Sequence, residues 1–150
     1  MSSISYKAEF ELEQPVDVVF PLFTPEGERL WAPGWEYENI MGTINLHENY
    51  VFLTKTHDHA AADAIWIVKK YEPEIHNVQY YKVEPQEKLG VVTVKCSQLG
   101  ENKTGVQVSY TYIGLSESGN KFIKGFSESN YKEFIHEWKC LLEKYFREDQ

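Results

Sequence analysis

The sequence is poor in cysteine, in basic residues and in long apolar runs, and each shortage excludes something. Two cysteines, Cys96 and Cys140, cannot make a disulfide framework for 150 residues. Such a chain suits a reducing compartment, so a cytoplasmic location is expected. Lys and Arg total 15 against 23 Asp and Glu, a formal net charge of −8, and no basic cluster interrupts this balance. An acidic surface repels phosphate backbones and anionic lipid, so nucleic acid is not an expected partner and neither is a membrane surface. No apolar stretch is long enough to span a bilayer, so no membrane insertion is expected. Met1 to Leu12 alternates polar with apolar residues where a secretion signal would carry an apolar block. There is no Gly-x-Ser-x-Gly elbow, no dinucleotide fingerprint and no phosphate loop, so no cofactor is expected and no catalytic nucleophile stands out.

Aromatic residues are what the chain has in plenty: four Trp, ten Tyr and eight Phe, 15% of the total. Tyr and Trp join a large apolar body to one polar tip, which suits the wall of a semi-polar cavity as well as a dense core. The length fits one domain spanning residues 1–150. A chain of this size buries ~70% of its unfolded surface and needs no metal or disulfide to hold a core.

The order of elements is legible. Residues 6 to 12 alternate with period 2, as a half-buried strand does. Gln14-Pro15 ends this strand, and Pro15 suits the first position of a helix in which Val16, Val19, Phe20 and Phe23 recur at helical spacing. Pro21 should kink or shorten that helix. Thr24 can cap a second helix, with Pro25, Glu26 and Glu28 in its first turn, running into Leu30-Trp31 and stopping at Ala32-Pro33-Gly34. Strands follow at Tyr50 to Thr56, Ala64 to Tyr71, Asn77 to Val83, Gly90 to Cys96 and Gly105 to Ile113, separated by short polar turns. In the last of them Val106, Val108, Tyr110 and Tyr112 share the face expected to point inward, and Cys96 should lie inside with Val92 and Val94. The last thirty or so residues read as helix. Phe134, Ile135, Trp138, Leu141, Leu142 and Tyr145 form its apolar stripe, while His136 and Cys140 face solvent. Ser127, Asn130 and Tyr131 continue the stripe as polar residues, so the first half of the helix should face something less apolar than core.

These elements make an α+β fold: an antiparallel sheet of about six to seven strands, curled around a long C-terminal helix, with two short helices after the first strand. The sequence resembles the START/Bet v 1-like (SRPBCC) superfamily, which includes polyketide cyclases and lipid-transfer proteins. The resemblance rests on Pro15-Val16-Asp17-Val18-Val19-Phe20-Pro21-Leu22-Phe23 and on Thr24-Pro25-Glu26-Gly27-Glu28-Arg29-Leu30-Trp31-Ala32-Pro33-Gly34-Trp35. Tyr110-Thr111-Tyr112, running through Leu115 to Asn120 into the terminal helix, adds to it. The second stretch is typical of one bacterial and archaeal subgroup. The resemblance implies a helix-grip fold with an internal cavity; it implies no particular substrate.

The candidate ligand-binding residues are Trp31, Trp35, Trp66, Tyr80 (or Tyr81), Tyr110, Tyr112, Ser127, Asn130 and Tyr131. A Tyr hydroxyl in an apolar cavity needs a partner, which a ligand or a water molecule supplies; the alternative is a filled core with each hydroxyl bonded to protein. Trp31, Pro33, Gly34 and Trp35 either form a lid or staple the short helices to the sheet. Arg29 either binds a ligand carboxylate or pairs locally with Glu26 or Glu28. The leading functional reading is a binding module for a small hydrophobic or amphipathic molecule. The alternatives are a cofactor-independent enzyme of polyketide cyclase or dehydrase type, and an interaction domain with a filled cavity. Oligomeric state is not legible.

His57-Asp58-His59 with Asp63 is the one metal-like cluster, and a solvated turn explains it more simply. No metal site is expected. Replacing both histidines (His57→Ala with His59→Ala) should therefore change stability by no more than ~0.5 kcal/mol. Melting curves with and without a chelator, together with elemental analysis, check this. One equivalent of zinc lost in the double variant would reverse the reading.

Overall fold

The chain is described here by a computed structural model covering residues 2–55 and 63–148, so His57, Asp58 and His59 lie outside the described residues. Strand β1 (Ser3–Leu12) buries Phe10 and Leu12 and turns Lys7, Glu9 and Glu11 outward, as its alternation requires. Pro15 stands just before helix α1 (Val16–Val19), one place earlier than expected. Pro21 cannot donate an N–H, and the next turn, Phe20–Phe23, tightens into a 3-10 helix. Thr24 then caps α2 (Pro25–Glu28), its Oγ1 accepting the Gly27 N–H at 3.0 Å. A side chain at Gly27 would collide with the backbone of Pro21 and Leu22, so α2 lies directly on the preceding turn. The helix stops at Glu28, sooner than the sequence suggests, and Arg29 to Gly34 continue as turns, with Gly34 at φ 71°.

Six further strands follow: β2 (Tyr37–Asn39), β3 (Val51–Thr54), β4 (Ala64–Glu72), β5 (Asn77–Glu84), β6 (Lys88–Gly100) and β7 (Lys103–Gly114). They form one antiparallel sheet in the order β1-β7-β6-β5-β4-β3-β2. β2 is only three residues long, too short for alternation to mark it in the sequence. Val106, Val108, Tyr110 and Tyr112 are on the buried face. Cys96 is buried near Val92 and Val94, and burial pushes its thiol up to about 12. Cys140 is exposed, with its Sγ 3.5 Å from His136 Nε2.

The terminal helical region is two helices and not one. α3 (Glu117–Gly125) packs on β7, and α4 (Glu128–Glu148) packs on β1. Gly125 ends the first, and the extended Phe126 with Ser127 separates the two. α4 buries Tyr131, Ile135 and Leu142 completely and Trp138, Leu141 and Tyr145 in part. Phe134, expected in the apolar stripe, stays 37% exposed at its margin. The arrangement is a helix-grip fold, in which Tyr131 of α4 stacks on Tyr6 of β1 and Trp138 packs against Phe23 and Trp31.

Leu142 carries no solvent exposure. Leu142→Ala should lower unfolding free energy by about 2–5 kcal/mol. Cys140→Ala, two residues away on the solvent face, should stay within ~0.5 kcal/mol. Denaturant titration of both variants tests the assignment of these two faces.

Candidate functional site

On the inner face, residues paired across neighbouring strands stand side by side. One such row reads Trp66 (β4), Lys82 (β5), Gly90 (β6), Tyr112 (β7). A second, next to it, pairs Glu84 with Lys88. A third runs Tyr80, Val92, Tyr110 and Tyr6. Gly90 leaves a gap in the middle of the first row. A Cβ built there would lie 3.4 Å from Tyr112 Cε1 and 3.6 Å from Lys82 Cβ, ordinary contacts that nothing now occupies. Beside this row a cleft of about 630 Å³, open to solvent, is lined by residues of the sheet, of α3 and of the start of α4. Its sheet side is Lys82, Glu84, Lys88 and Tyr112; its helix side is Lys121, Phe122, Gly125, Phe126 and Phe134. Tyr112 meets Phe122 edge-on at 5.5 Å, and Phe122 meets Phe126 at 5.3 Å, so one wall is continuous aromatic surface.

The charged groups on the floor are not equivalent. Lys88 is only 6% exposed and is well supplied with partners. Its Nζ lies 3.1 Å from Glu84 Oε2, 3.8 Å from Glu87 Oε1 and 4.0 Å from the centre of the Phe122 ring. Glu84 Oε2 is buried with no aligned hydrogen bond, so this ion pair is its sole compensation. Lys82 has no such partner. Its Nζ sits 5.3 Å from the Trp66 ring centre, and it makes no ion pair or hydrogen bond among the described residues. Burial lowers its affinity for a proton and Lys88 adds to this, while Glu84 and Glu28 oppose it; the net direction is down. Glu28, at the end of α2, is the mirror case. Burial raises its pKa well above the usual carboxylate range, Lys82 offsets this in part, and its carboxyl has no hydrogen-bond or ion-pair partner among the described residues. Glu28 is surrounded by protein and yet keeps some accessible surface, and it acts electrostatically on Tyr80, Tyr110 and Lys82. Burial also raises Tyr110 and Tyr112, whose hydroxyls make no hydrogen bond among the described residues.

The candidate residues divide into three groups. Tyr110 and Tyr112 carry free hydroxyls on the inner face. Trp31, Trp35, Trp66, Tyr80 and Tyr131 lie on the inner side too, but their polar tips are bonded to protein. Trp31 Nε1 donates to Leu22 O at 2.7 Å and Trp35 Nε1 to Pro25 O at 2.9 Å, which staples both rings to the short helices. Trp66 Nε1 donates to Thr54 Oγ1 at 2.9 Å, Tyr80 OH to Phe23 O at 2.7 Å and Tyr131 OH to Val108 O at 2.6 Å. Ser127 and Asn130 are exposed and do not line the cavity. Asn130 N–H donates to Ser127 Oγ and Ser127 N–H to Asn130 Oδ1, each at 3.1 Å, a reciprocal cap that starts α4. Arg29 is exposed and pairs with Glu26 Oε1 at 2.7 Å, while Glu26 also accepts the Tyr37 hydroxyl. The residues that sequence reasoning left out are Lys82, Glu84, Lys88, Gly90, Phe122 and Phe126. The available signal was Tyr80-x-Lys82-x-Glu84, two charges in phase with an inward tyrosine.

Neither protein-family models nor curated proteins give a match to this sequence. Solved structures do match in fold. Norcoclaurine synthase from Thalictrum flavum, in complex with dopamine and hydroxybenzaldehyde, superposes with a TM-score of 0.70 at 11% identity, over 99% of this chain and 89% of that one. Ara h 8.0201 gives 0.66 at 10% identity over 96% and 95%. The di-domain ARO/CYC BexL from the BE-7585A biosynthetic pathway gives 0.69 at 12% identity, over 93% of this chain and 46% of that chain. The fold is thus the Bet v 1-like helix grip, as the sequence resemblance implies. Among the described residues no helix is long and apolar enough to cross a membrane.

The buried carboxyl of Glu28 carries a stability prediction. Folded Glu28 holds its proton more tightly than the unfolded chain does. Its contribution is therefore fully present below the unfolded value and is lost as pH rises through the folded one. Glu28→Gln should raise the melting temperature at pH 7 to 8 and leave it nearly unchanged at pH 4. Equal shifts at both pH values would show that the carboxyl is not desolvated.

Proposed function

We propose that this chain binds a small amphipathic molecule, an aromatic or apolar body with one polar group, in the cavity between β5, β6 and β7 and helices α3 and α4. The carrying observation is the mixed lining: Phe122, Phe126 and Phe134 offer aromatic surface from the helices beside Lys121, and Tyr112 lies with Lys82, Glu84 and Lys88 on the sheet. About 630 Å³ lies within the range of small-molecule sites. Aromatic walls favour a ring that stacks or meets them edge-on. The floor favours a polar end, because the Tyr112 hydroxyl and the Lys82 amine make no hydrogen bond or ion pair among the described residues. The fold supports the reading, since one structure of the same fold is in complex with two aromatic molecules. The cyclase-like alternative draws on the unpaired Lys82 and Glu28, groups able to move protons.

An apolar fluorescent probe such as an anilinonaphthalene sulfonate should bind with saturation at one equivalent and perturb tryptophan emission. Gly90→Val adds methyl groups between Lys82 and Tyr112, two lining residues that a Cβ at this position would already touch, and it should weaken binding by at least ~10-fold, about 1.4 kcal/mol. Non-saturable binding, or full binding in a folded Gly90→Val variant, would remove the cavity from consideration.

A further inference from the structure

The cleft carries a charge opposite in sign to that of the whole chain. The protein has a formal net charge of −8. Among the described residues the cleft is lined by three lysines, Lys82, Lys88 and Lys121, against one carboxylate, Glu84. Part of this charge is settled within the protein. Lys88 Nζ stands 3.1 Å from Glu84 Oε2 and 3.8 Å from Glu87 Oε1, with the Phe122 ring centre 4.0 Å away. This cluster closes on itself: Glu84 has its counterion, and Phe122 already meets a cation. What stays open is of one kind. Lys82 of β5 is half-buried, with the Trp66 ring centre 5.3 Å from its Nζ and no ion pair or hydrogen bond among the described residues. Lys121 of α3 is exposed and makes no ion pair among the described residues. Tyr112 of β7 shares a cross-strand row with Lys82, is buried, and its hydroxyl makes no hydrogen bond among the described residues. An ammonium group has donors and no acceptor, and a phenol at neutral pH can donate. The cleft thus offers unused donors and unused positive charge, while the carboxylate in its lining is committed to Lys88.

We propose that the cleft takes an aromatic anion, its ring system against Phe126 and Phe134 and its oxyanion, a carboxylate in the simplest case, held by Lys82. The proposal rests on the cleft being the ligand site and adds the sign of the ligand's charge. A neutral alcohol or carbonyl would accept a hydrogen bond but leave the ammonium charge uncompensated. An amine would meet like charge. Partial burial disfavours a bare ammonium at Lys82, and an anion beside it offsets that effect. Lysine is a compact point charge on a flexible stem, so it selects for charge and not for the shape of the oxyanion. Lys121, exposed to solvent, adds long-range attraction more than contact energy.

The test uses two probes with one ring system: the anilinonaphthalene sulfonate, and N-phenylnaphthylamine, which lacks the sulfonate. Each is titrated into the folded protein at pH 7 and followed by fluorescence. Lys82→Met should weaken the sulfonate probe by about 10-fold, the effect of one charge-assisted hydrogen bond, and shift the neutral probe by less than about 2-fold. Lys82→Arg keeps the charge and should hold the sulfonate probe to within about 3-fold of the unaltered protein. Lys121→Met should weaken the sulfonate probe by only about 2-fold, as for an exposed pair. Raising ionic strength from ~0.01 M to ~0.1 M shortens the screening length from ~30 Å to ~10 Å and should weaken the sulfonate probe alone. This salt series needs no variant, so it decides the matter even should Lys82→Met fail to fold. Sulfonate binding unchanged in Lys82→Met, equal losses for the two probes, or sulfonate binding indifferent to salt would overturn the proposal. Saturable binding of both probes without any dependence on charge refutes the anion alone and leaves the cleft as a site. Failure of both probes to saturate refutes the cleft itself.

Discussion

A helix is narrower than a seven-stranded sheet, and most of what is distinctive about this molecule follows from that mismatch. α4 lies against β1 and commits Ile135 and Leu142 to the core there. It cannot also cover β5 and β6. The short helices and the β3–β4 aromatics close one end, where Phe52 stacks on Trp66 at 5.5 Å. The remaining stretch of inner face is roofed only by α3 and the beginning of α4. Polar residues can survive there because they face a solvent-reachable hollow and not packed side chains. The hollow is a consequence of packing geometry, and the charges on its floor are tolerated because of it.

Much of the architecture was legible because burial imposes a period. The inward set of β7, the interior position of Cys96 and the outward position of Cys140 all follow from alternation or from the helical stripe. Elements without a full period were harder. β2 is three residues long, and the break between α3 and α4 was read through although Gly125 marks it. The site was less legible for a related reason. A charge in a strand ordinarily faces outward, so only the phase of Lys82 and Glu84 with Tyr80 marks them as inward. Ser127 and Asn130 failed the other way. Polar residues at a helix start satisfy orphan N–H groups as readily as they line a cavity, and here they do the former.

The comparisons sharpen the division between scaffold and chemistry. Ten to twelve per cent identity with three proteins of different description is compatible with one shared fold. The fold supplies a hollow beside a helix; what enters it depends on a handful of inward positions. In this chain those positions combine an aromatic wall, a paired lysine and an unpaired one. A different pair of residues at 82 and 90 would leave the same architecture with a different interior.

The two cysteines give the molecule an experimental handle. Burial keeps Cys96 as a thiol far above neutral pH, whereas Cys140 lies on the solvent face of α4. Thiolate is the reactive species, so a maleimide reagent meets one accessible site in the folded chain. A dye carried there would ride on the opposite side of α4 from Trp138, whose ring stands 5.6 Å from Phe134 at the cavity mouth. Energy transfer between the intrinsic tryptophans and that single label would turn the helix itself into an optical ruler, reporting how far it lifts from the sheet without altering any residue of the interior.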